Sequence, residues 1–211
     1  RVARNGKTIR PSTVVSFLSQ RRDVLDEAYP GDIIGIPNRG TLQLGDSLTE
    51  GEDLQFTGLP FFAPEMFQTV ELADPMRAKQ LKLGLKQLGE EGAIQVFQHQ
   101  RGGPLLLGAI GALQFEVVKH RLEHEYGVQA RIAASSIRIA RWITAEDPRE
   151  LKAFIETNAH RIAYDAVDAP TFVCEYPGEL SVTQERFPKI EFHKMREHAG
   201  LIFHAELGAA A

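Results

Sequence analysis

The order of strand-like and helical patterns between residues 63 and 134 constrains the fold more than any other feature of the sequence. Apolar residues recur there at every second position in strand-like runs, and at every third or fourth position in helical runs. The patterned segments follow one another at 66–72, 81–88, 93–98, 105–110, 113–126 and 128–132. The resulting order is β-α-β-β-α-β, which predicts a ferredoxin-like unit.

Local signals mark where the two helices of this unit begin and end. Asp74 offers an N-cap, and Pro75 occupies the first helical position, where a missing N–H costs nothing. Either Gly89 or Gly92 ends the first helix, and Gly127 ends the second.

Residues 135–205 repeat this rhythm more weakly. Asp147, followed three positions later by Glu150, forms a capping-box pattern at the start of a helix. Further strand-like and helical runs lie around it, at 137–143, 162–164, 171–174, 179–186 and 190–192. We expect a second, degenerate α+β layer that packs on the first, and a patternless tail at 206–211.

Residues 1–55 show no helical periodicity. They contain three short β-type runs separated by turn signals, at 13–18, 32–36 and 41–44. Short strands at this spacing are typical of a small antiparallel barrel. Because these runs barely suffice to close a barrel, we expect 1–55 to be the C-terminal part of one that begins upstream. The predicted fold class is α+β, with a partial antiparallel β-barrel at 1–55 and a larger domain at 56–205.

Composition narrows the classes of protein to which the chain can belong. The 211 residues carry a net charge of −4, which excludes a uniformly basic nucleic-acid coat but permits a local basic face. The single cysteine, Cys174, excludes a disulfide framework and indicates a reducing compartment; its apolar neighbours predict an inert core thiol. No apolar run is long enough to span a bilayer and no leader pattern opens the sequence, so we expect a soluble, cytoplasmic chain with no membrane contact.

The distribution of charge indicates where the chain would bind RNA. The first 22 residues contain six cations and no acid. A basic stretch on a barrel within an otherwise acidic chain favours contact with a phosphate backbone, and a solvated face is the alternative. The candidate contacts are Arg4, Lys7, Arg10, Arg21 and Arg22. A weaker cluster comprises Arg131, Arg138 and Arg141, of which Arg138 is expected to be exposed because it alternates with apolar neighbours.

Two glycine-containing turns resemble nucleotide-binding loops only in part. Residues 5–8, NGKT, look like the end of a phosphate-binding loop, but Arg1 stands where the loop needs its first glycine and Pro11 blocks the helix that must follow. Residues 108–111 lack the third glycine of a dinucleotide turn. Close packing of a strand on a helix explains the glycines of that turn better.

The seven histidines raise the hypothesis of a metal site, which their spacing does not support. His193, His198 and His204 are spaced unlike known zinc ligands. His120 and His124 have the i, i+4 spacing of helical ligands, but they lie among charged residues typical of a solvated face. Since no nucleophile, acid and base converge either, we predict no metal ligand, no bound cofactor and no catalytic residue in this chain.

Several stretches resemble the translational GTPases. AYPGDIIG at 28–35 and GTLQLGDSL at 40–48 look like the end of their domain II, and FTGLPFFAPE at 56–65 narrows the resemblance to the bacterial release factor 3 family. Further stretches are similar to domain III of that family and to its C-terminus: QLGEEGAIQVF at 87–97, GAIGALQFEVV at 108–118, QERFP at 184–188 and FHKMREH at 192–198. The resemblance covers about residues 1–199.

The resemblance implies a cytosolic role in translation termination. Members of this family are GTPases whose GTP-bound form ejects a class 1 release factor from the ribosome after peptide hydrolysis. GTP or GDP with magnesium would be held only by an N-terminal domain outside these residues, so this chain by itself is expected not to be an enzyme. The barrel would dock on 16S rRNA, and the larger domain would reach the small-subunit protein near the decoding region. The chain would act as a monomer.

Two other functions remain open from the residues alone. One is a stand-alone ribosome- or RNA-binding module without GTPase activity. The other is a small metabolic enzyme that uses the ferredoxin-like unit as a scaffold, since a fold by itself does not determine function. A tightly bound metal or small molecule in the purified protein would favour the enzyme.

Overall fold

The computed structural model describes residues 1–11, 13–18, 21–38, 40–54, 56, 60–72, 74–197 and 203–204 of the chain. The chain divides into two compact units, Arg1–Thr57 and Gly58–Ala211. Within the described ranges, no helix has both the length and the apolar composition that a bilayer span requires.

The first unit contains a small antiparallel sheet. Its three strands are β1 (Val15–Leu18), β2 (Arg21–Val24) and β3 (Ile34–Gly35). β1 lies in the middle and pairs with both neighbours. The described residues of this unit form no closed barrel, which agrees with the expected partial barrel.

The strand predicted at 41–44 is wrong, because this segment forms turns. Asn38 Oδ1 accepts the N–H of Thr41 at 3.0 Å, and Asp46 Oδ2 accepts the N–H of Gln43 at 2.8 Å. Side-chain oxygens thus take the backbone donors that a strand ladder would need. The apolar alternation of this segment therefore does not lead to strand pairing.

The described residues of the second unit form two antiparallel sheets and four α-helices. The helices are α1 (Ala78–Glu90), α2 (Ala112–Tyr126), α3 (Pro148–Thr157) and α4 (Pro177–Arg186). The strands are β4 (Pro60–Phe62), β5 (Met66–Leu72), β6 (Gln95–His99), β7 (Leu105–Ala109), β8 (Ala130–Ala134), β9 (Ile139–Thr144), β10 (Ile162–Tyr164), β11 (Pro170–Cys174), β12 (Glu191–His193), β13 (Met195–Glu197) and β14 (Phe203–His204).

The segment from β5 to β8 is the predicted β-α-β-β-α-β unit, with strand order β6-β7-β5-β8. Asp74 accepts the N–H of Met76 and so caps the short 3₁₀ turn that leads into α1. Gly127 ends α2 with a left-handed φ of 63°. Both predicted caps are therefore confirmed. α1 and α2 cover one face of the sheet, above a core that includes Leu88 and Leu122.

The segment from β9 to β12, in the C-terminal half of the second compact unit, is more regular than the degenerate layer that the sequence predicts. β9 to β12, with α3 and α4, again follow β-α-β-β-α-β, with strand order β12-β9-β11-β10. They do not pack on the first half as a layer: β10 pairs with β6, Ala163 opposite His99, and eight strands share one sheet. Each half leaves its second strand at an edge, and pairing the two edges satisfies their backbone groups. Asp147 caps α3 as predicted, by accepting the N–H of Arg149, but the Glu150 side chain of the predicted capping box pairs with Lys189 Nζ at 2.7 Å.

The eight-stranded sheet buries apolar side chains on both faces. The helices cover one face, with separate cores under α1–α2 and under α3–α4. The opposite face carries a cluster drawn from both halves, comprising Phe67, Phe97, Leu106, Ala140, Ala163 and Val173. On this face Phe61 of the small sheet β14-β13-β4 lies against Trp142, with ring centroids 5.7 Å apart. The sequence did not predict this small sheet as such, because its strands are only two or three residues long.

The predicted strand-to-helix packing at residues 108–111 is wrong: only Gly108 is closely packed, and its neighbours are not in a helix. A Cβ on Gly108 would lie 2.3 Å from Pro64 Cγ and 3.0 Å from Phe97 Cε2. The neighbour that excludes a side chain is thus the segment before β5, and not a helix as expected. A Cβ on Gly111 would meet nothing within 4 Å.

Candidate nucleic-acid interface

Arg4 forms an ion pair within the first unit. Its Nε lies 2.6 Å from Asp46 Oδ1 and its Nη2 lies 2.9 Å from Asp46 Oδ2, a bidentate arrangement. Burial would raise the pKa of the Asp46 carboxyl, but hydrogen bonds from Arg4 and from the Gln43 N–H outweigh it and lower that pKa. A phosphate would therefore have to compete with Asp46 for this guanidinium.

Lys7 and Arg10 are exposed cations of the same unit. Lys7 closes a tight turn, in which its N–H donates to Asn5 Oδ1 at 3.0 Å and its carbonyl accepts the N–H of Val2 at 2.8 Å. Arg10 lines a shallow hollow of about 280 Å³. Neither side chain forms a salt bridge with another described residue. Of the three candidate cations of this unit whose side chains the structure describes, these two offer their charge more directly to a phosphate than Arg4 does.

The other candidate cations outside the cleft described below are Arg21, Arg22 and Arg131. Arg21 and Arg22 belong to β2, and their side chains lie outside the described part of the chain. Arg131 is exposed in β8, at an edge of the eight-stranded sheet, and stands directly opposite Glu71 of β5. A carboxylate beside Arg131 on the same face weakens its attraction for an anion.

Arg138 and Arg141 line one cleft of about 550 Å³ together with Lys194, which the sequence did not single out. The remaining lining residues are Phe62, Ala63, Pro64, Glu65, Ile110 and Ile139. Arg138 is exposed, as its alternation with apolar neighbours predicts. Arg141 is half-buried, and its Nη1 donates to the carbonyl of Ala140 at 2.7 Å. We refer to this site as the cationic cleft; it gathers three cations and one carboxylate.

Backbone hydrogen bonds fix the walls of the cationic cleft. The N–H of Ala63 donates to the carbonyl of Lys194 at 2.7 Å, and the N–H of Arg138 donates to the carbonyl of Cys174 at 3.0 Å. Lys194 reaches the cleft through the junction of β12 and β13, far from Arg138 along the sequence. No local pattern could have indicated this juxtaposition, because it depends on the pairing of distant strands.

The structure agrees with the interpretation of Cys174 as a core thiol. The side chain is 1% exposed in β11, and burial raises the pKa of the thiol to about 11. His120 and His124 stack on the exposed side of α2 with ring centroids 4.0 Å apart. Among the described residues, no three His, Cys, Asp or Glu side chains converge as a metal site would require.

Both units match known families of translation factors. The family model described as "Class II release factor RF3, C-terminal domain" matches residues 56–184. The family model described as "Elongation factor G domain 2" matches residues 1–51.

Curated relatives align over nearly all of the chain. The peptide chain release factor 3 of Nitrosomonas eutropha is 70% identical over 203 residues, which are 96% of this chain and 38% of that protein. The peptide chain release factor 3 of Bordetella pertussis is 63% identical over 204 residues, again 96% and 38%. The chain therefore spans less than half the length of these relatives.

A crystal structure of a Thermus thermophilus protein superposes with a TM-score of 0.46 and 22% identity, over 66% of this chain and 21% of that one.

Proposed function

The chain belongs to the release factor 3 family, and from this we propose that it is the ribosome-binding part of a translation-termination GTPase, which promotes the release of class 1 release factors after peptide hydrolysis. The observation that carries the proposal is the alignment of release factor 3 relatives over 96% of the chain, which includes both units. The protein would act in the cytoplasm, as a monomer.

The first unit supports the proposed contact with 16S rRNA through its exposed cations. Lys7 and Arg10 would lie against backbone phosphates, where loss of condensed counterions favours binding without reading a sequence. Arg4 has a different part in the proposal, because Asp46 already holds its guanidinium. Arg4 would keep the turn that carries Lys7 in place, as a positioning residue. The second unit would meet the small-subunit protein near the decoding region.

GTP chemistry belongs, in this proposal, to a nucleotide-binding domain outside these two units. The turn at 5–8 supports that assignment, since its backbone donors are engaged: the N–H of Gly6 donates to the carbonyl of Val2, and that of Lys7 to Asn5 Oδ1. A phosphate-binding loop needs such N–H groups to point at the phosphates. GTP or GDP with magnesium would therefore bind to that other domain, and would affect these two units only indirectly.

The test uses post-termination ribosomes that hold a fluorescently labelled class 1 release factor. The natural protein that contains this chain, supplied with GTP, should bind these ribosomes and speed the dissociation of the labelled factor. Omission of GTP is the matched control and should abolish the acceleration. If the protein neither binds nor accelerates release, the proposal is wrong. If it binds ribosomes but does not change the dissociation rate with GTP present, the stand-alone ribosome-binding module is the correct function.

A further inference from the structure

The cationic cleft combines its positive charge with an exposed aromatic ring. Phe62 is 51% exposed and lines the cleft. Side chains alternate along β4, so that Phe61 packs against Trp142 while Phe62 points the other way. Gln95 Nε2 donates to the carbonyl of Phe62 at 2.6 Å, and this bond holds the backbone that carries the ring. The ring is therefore an exposed surface on a fixed support.

We propose that the cationic cleft binds one unstacked nucleotide of single-stranded RNA. Arg138 and Lys194 hold the phosphate, and the base stacks on Phe62. Proteins that take up single-stranded RNA combine these two elements: cations that follow the backbone, and aromatic faces that accept any base. The volume of about 550 Å³ lies within the range of pockets that enclose a small ligand, so a nucleotide fits. The biological setting of this site rests on the proposed function, because ribosomal RNA is the RNA that a ribosome-bound chain meets.

Glu65 favours RNA over an acidic peptide as the occupant. Its side chain is exposed and lines the same cleft as the three cations. A carboxylate at this position repels the closely spaced carboxylates of an acidic peptide, whereas the single phosphate of one nucleotide can lie against Arg138 and Lys194, away from Glu65. The same oxygens accept a hydrogen bond from a ribose 2′-hydroxyl or from an exocyclic amino group. An isolated acid among cations thus suits a ligand that has both anionic oxygens and neutral donors.

The net negative charge of the chain means that affinity for RNA must come from a local group of cations. A net charge of −4 gives the chain no general attraction for nucleic acid. Affinity for RNA must then come from particular cations, and neutralising two of them should have a large effect. This separates the proposed site from the diffuse binding of a basic protein, in which any two cations are equivalent.

The experiment measures binding of a fluorescein-labelled oligouridylate to the full chain by anisotropy, at several salt concentrations. The double variant Arg138→Ala/Lys194→Ala should bind at least tenfold more weakly. The slope of log affinity against log salt concentration, the salt slope, should become shallower. For single-stranded nucleic acid the decrease is about 0.7 for each phosphate that is no longer neutralised. The matched control is Lys119→Ala/Lys152→Ala, which removes two exposed helical cations outside the cleft and should bind as the unchanged chain does. Equal losses in both double variants would overturn the proposal.

A second pair of variants tests the stacking step. Phe62→Ala should weaken oligonucleotide binding about tenfold, and Phe62→Leu should weaken it nearly as much, because leucine restores apolar area but no aromatic face. The salt slope should stay unchanged in both variants, since Phe62 touches no phosphate in this arrangement. Full binding by Phe62→Leu would contradict stacking. If a glutamate-rich peptide displaces the oligonucleotide stoichiometrically at equal concentration, the occupant is an acidic peptide and the proposal is wrong.

Ribosome co-sedimentation of the same variants separates this proposal from the proposed function. If the unchanged protein fails to bind ribosomes but the cleft binds oligouridylate, the proposed function fails and the nucleotide site stands. If the protein binds ribosomes and releases class 1 factors while oligouridylate binding is absent, the nucleotide site alone is overturned.

Discussion

Arg196 and Asp165 form a buried ion pair in the second unit: Arg196 Nη2 lies 3.2 Å from Asp165 Oδ2, and both side chains are at most 6% exposed. The same carboxylate accepts a hydrogen bond from Trp142 Nε1 at 2.9 Å and two more from N–H groups of its own turn. The guanidinium lies over the Phe61 ring, 4.3 Å from its centroid. Burial lowers the pKa of Arg196, and the Asp165 carboxylate opposes that shift. The Asp165 carboxylate thus links Arg196 of the small sheet to Trp142 of the eight-stranded sheet.

Asp165→Asn should destabilise the second unit more than Arg196→Met does. The asparagine leaves a buried guanidinium facing a neutral group, a change that typically costs about 3–5 kcal/mol. The methionine leaves the carboxylate with Trp142 Nε1 and two backbone donors, so its charge stays hydrogen-bonded. Urea unfolding of each variant measures the free energy of unfolding, with the exposed substitution Glu156→Gln as the control. A larger loss in Arg196→Met would contradict this account of the pair.

Gly108→Ala should destabilise the second unit by about 1–3 kcal/mol, as overpacking in a rigid core does. The added methyl group would lie 2.3 Å from Pro64 Cγ and 3.0 Å from Phe97 Cε2, and both of these residues are buried. Gly178→Ala is the matched control, because its Cβ meets nothing within 4 Å and alanine favours the helix α4. Thermal unfolding should show a lower midpoint for the first variant only; equal midpoints would mean that the Pro64 segment yields.

Features that depend on neighbouring residues could be predicted from the sequence, whereas features that depend on distant pairing could not. The caps at Asp74, Gly127 and Asp147 follow from short-range rules, and they lie where the rules place them. The pairing of β6 with β10 joins the edge strands of the two β-α-β-β-α-β halves, and nothing in the sequence of either strand indicates its partner. Lys194 reaches the cationic cleft by the same kind of long-range pairing. The exposed state of Arg138 could be predicted, but its place beside Lys194 could not.

The pKa of Asp46 implies a specific loss of stability in acid. Since that pKa is lowered in the folded unit, the ion pair with Arg4 contributes its full stability above the ordinary aspartate value of about 3.9. The contribution is lost as the pH falls below that value and through the lowered pKa. Carboxyl NMR titration should place the midpoint of Asp46 below the ordinary aspartate value, and Arg4→Gln should raise it. An Asp46 midpoint unaffected by Arg4→Gln would exclude the ion pair as the cause.

Lys7→Ala/Arg10→Ala should weaken ribosome binding of the natural protein without unfolding the first unit. Both side chains are exposed and neither supports a described ion pair, so their loss should leave the fold intact. Each phosphate that is no longer neutralised should lower the slope of log affinity against log salt by about 0.7–0.9, so the double variant should lose roughly 1.4–1.8. Co-sedimentation at several salt concentrations measures both quantities.

Two comparison variants decide what a weaker binding means. Lys119→Ala/Lys152→Ala removes the same charge from the second unit and should leave the slope unchanged, because those side chains lie on helices outside the proposed rRNA contact. Arg4→Gln should lower the stability of the first unit while the salt slope stays nearly constant, because Asp46 already holds the guanidinium. A slope that falls with Arg4→Gln as much as with Lys7→Ala/Arg10→Ala would mean that Arg4 leaves Asp46 for a phosphate on the ribosome. Arg4 would then exchange Asp46 for a phosphate when the protein binds RNA, and it would count among the phosphate contacts.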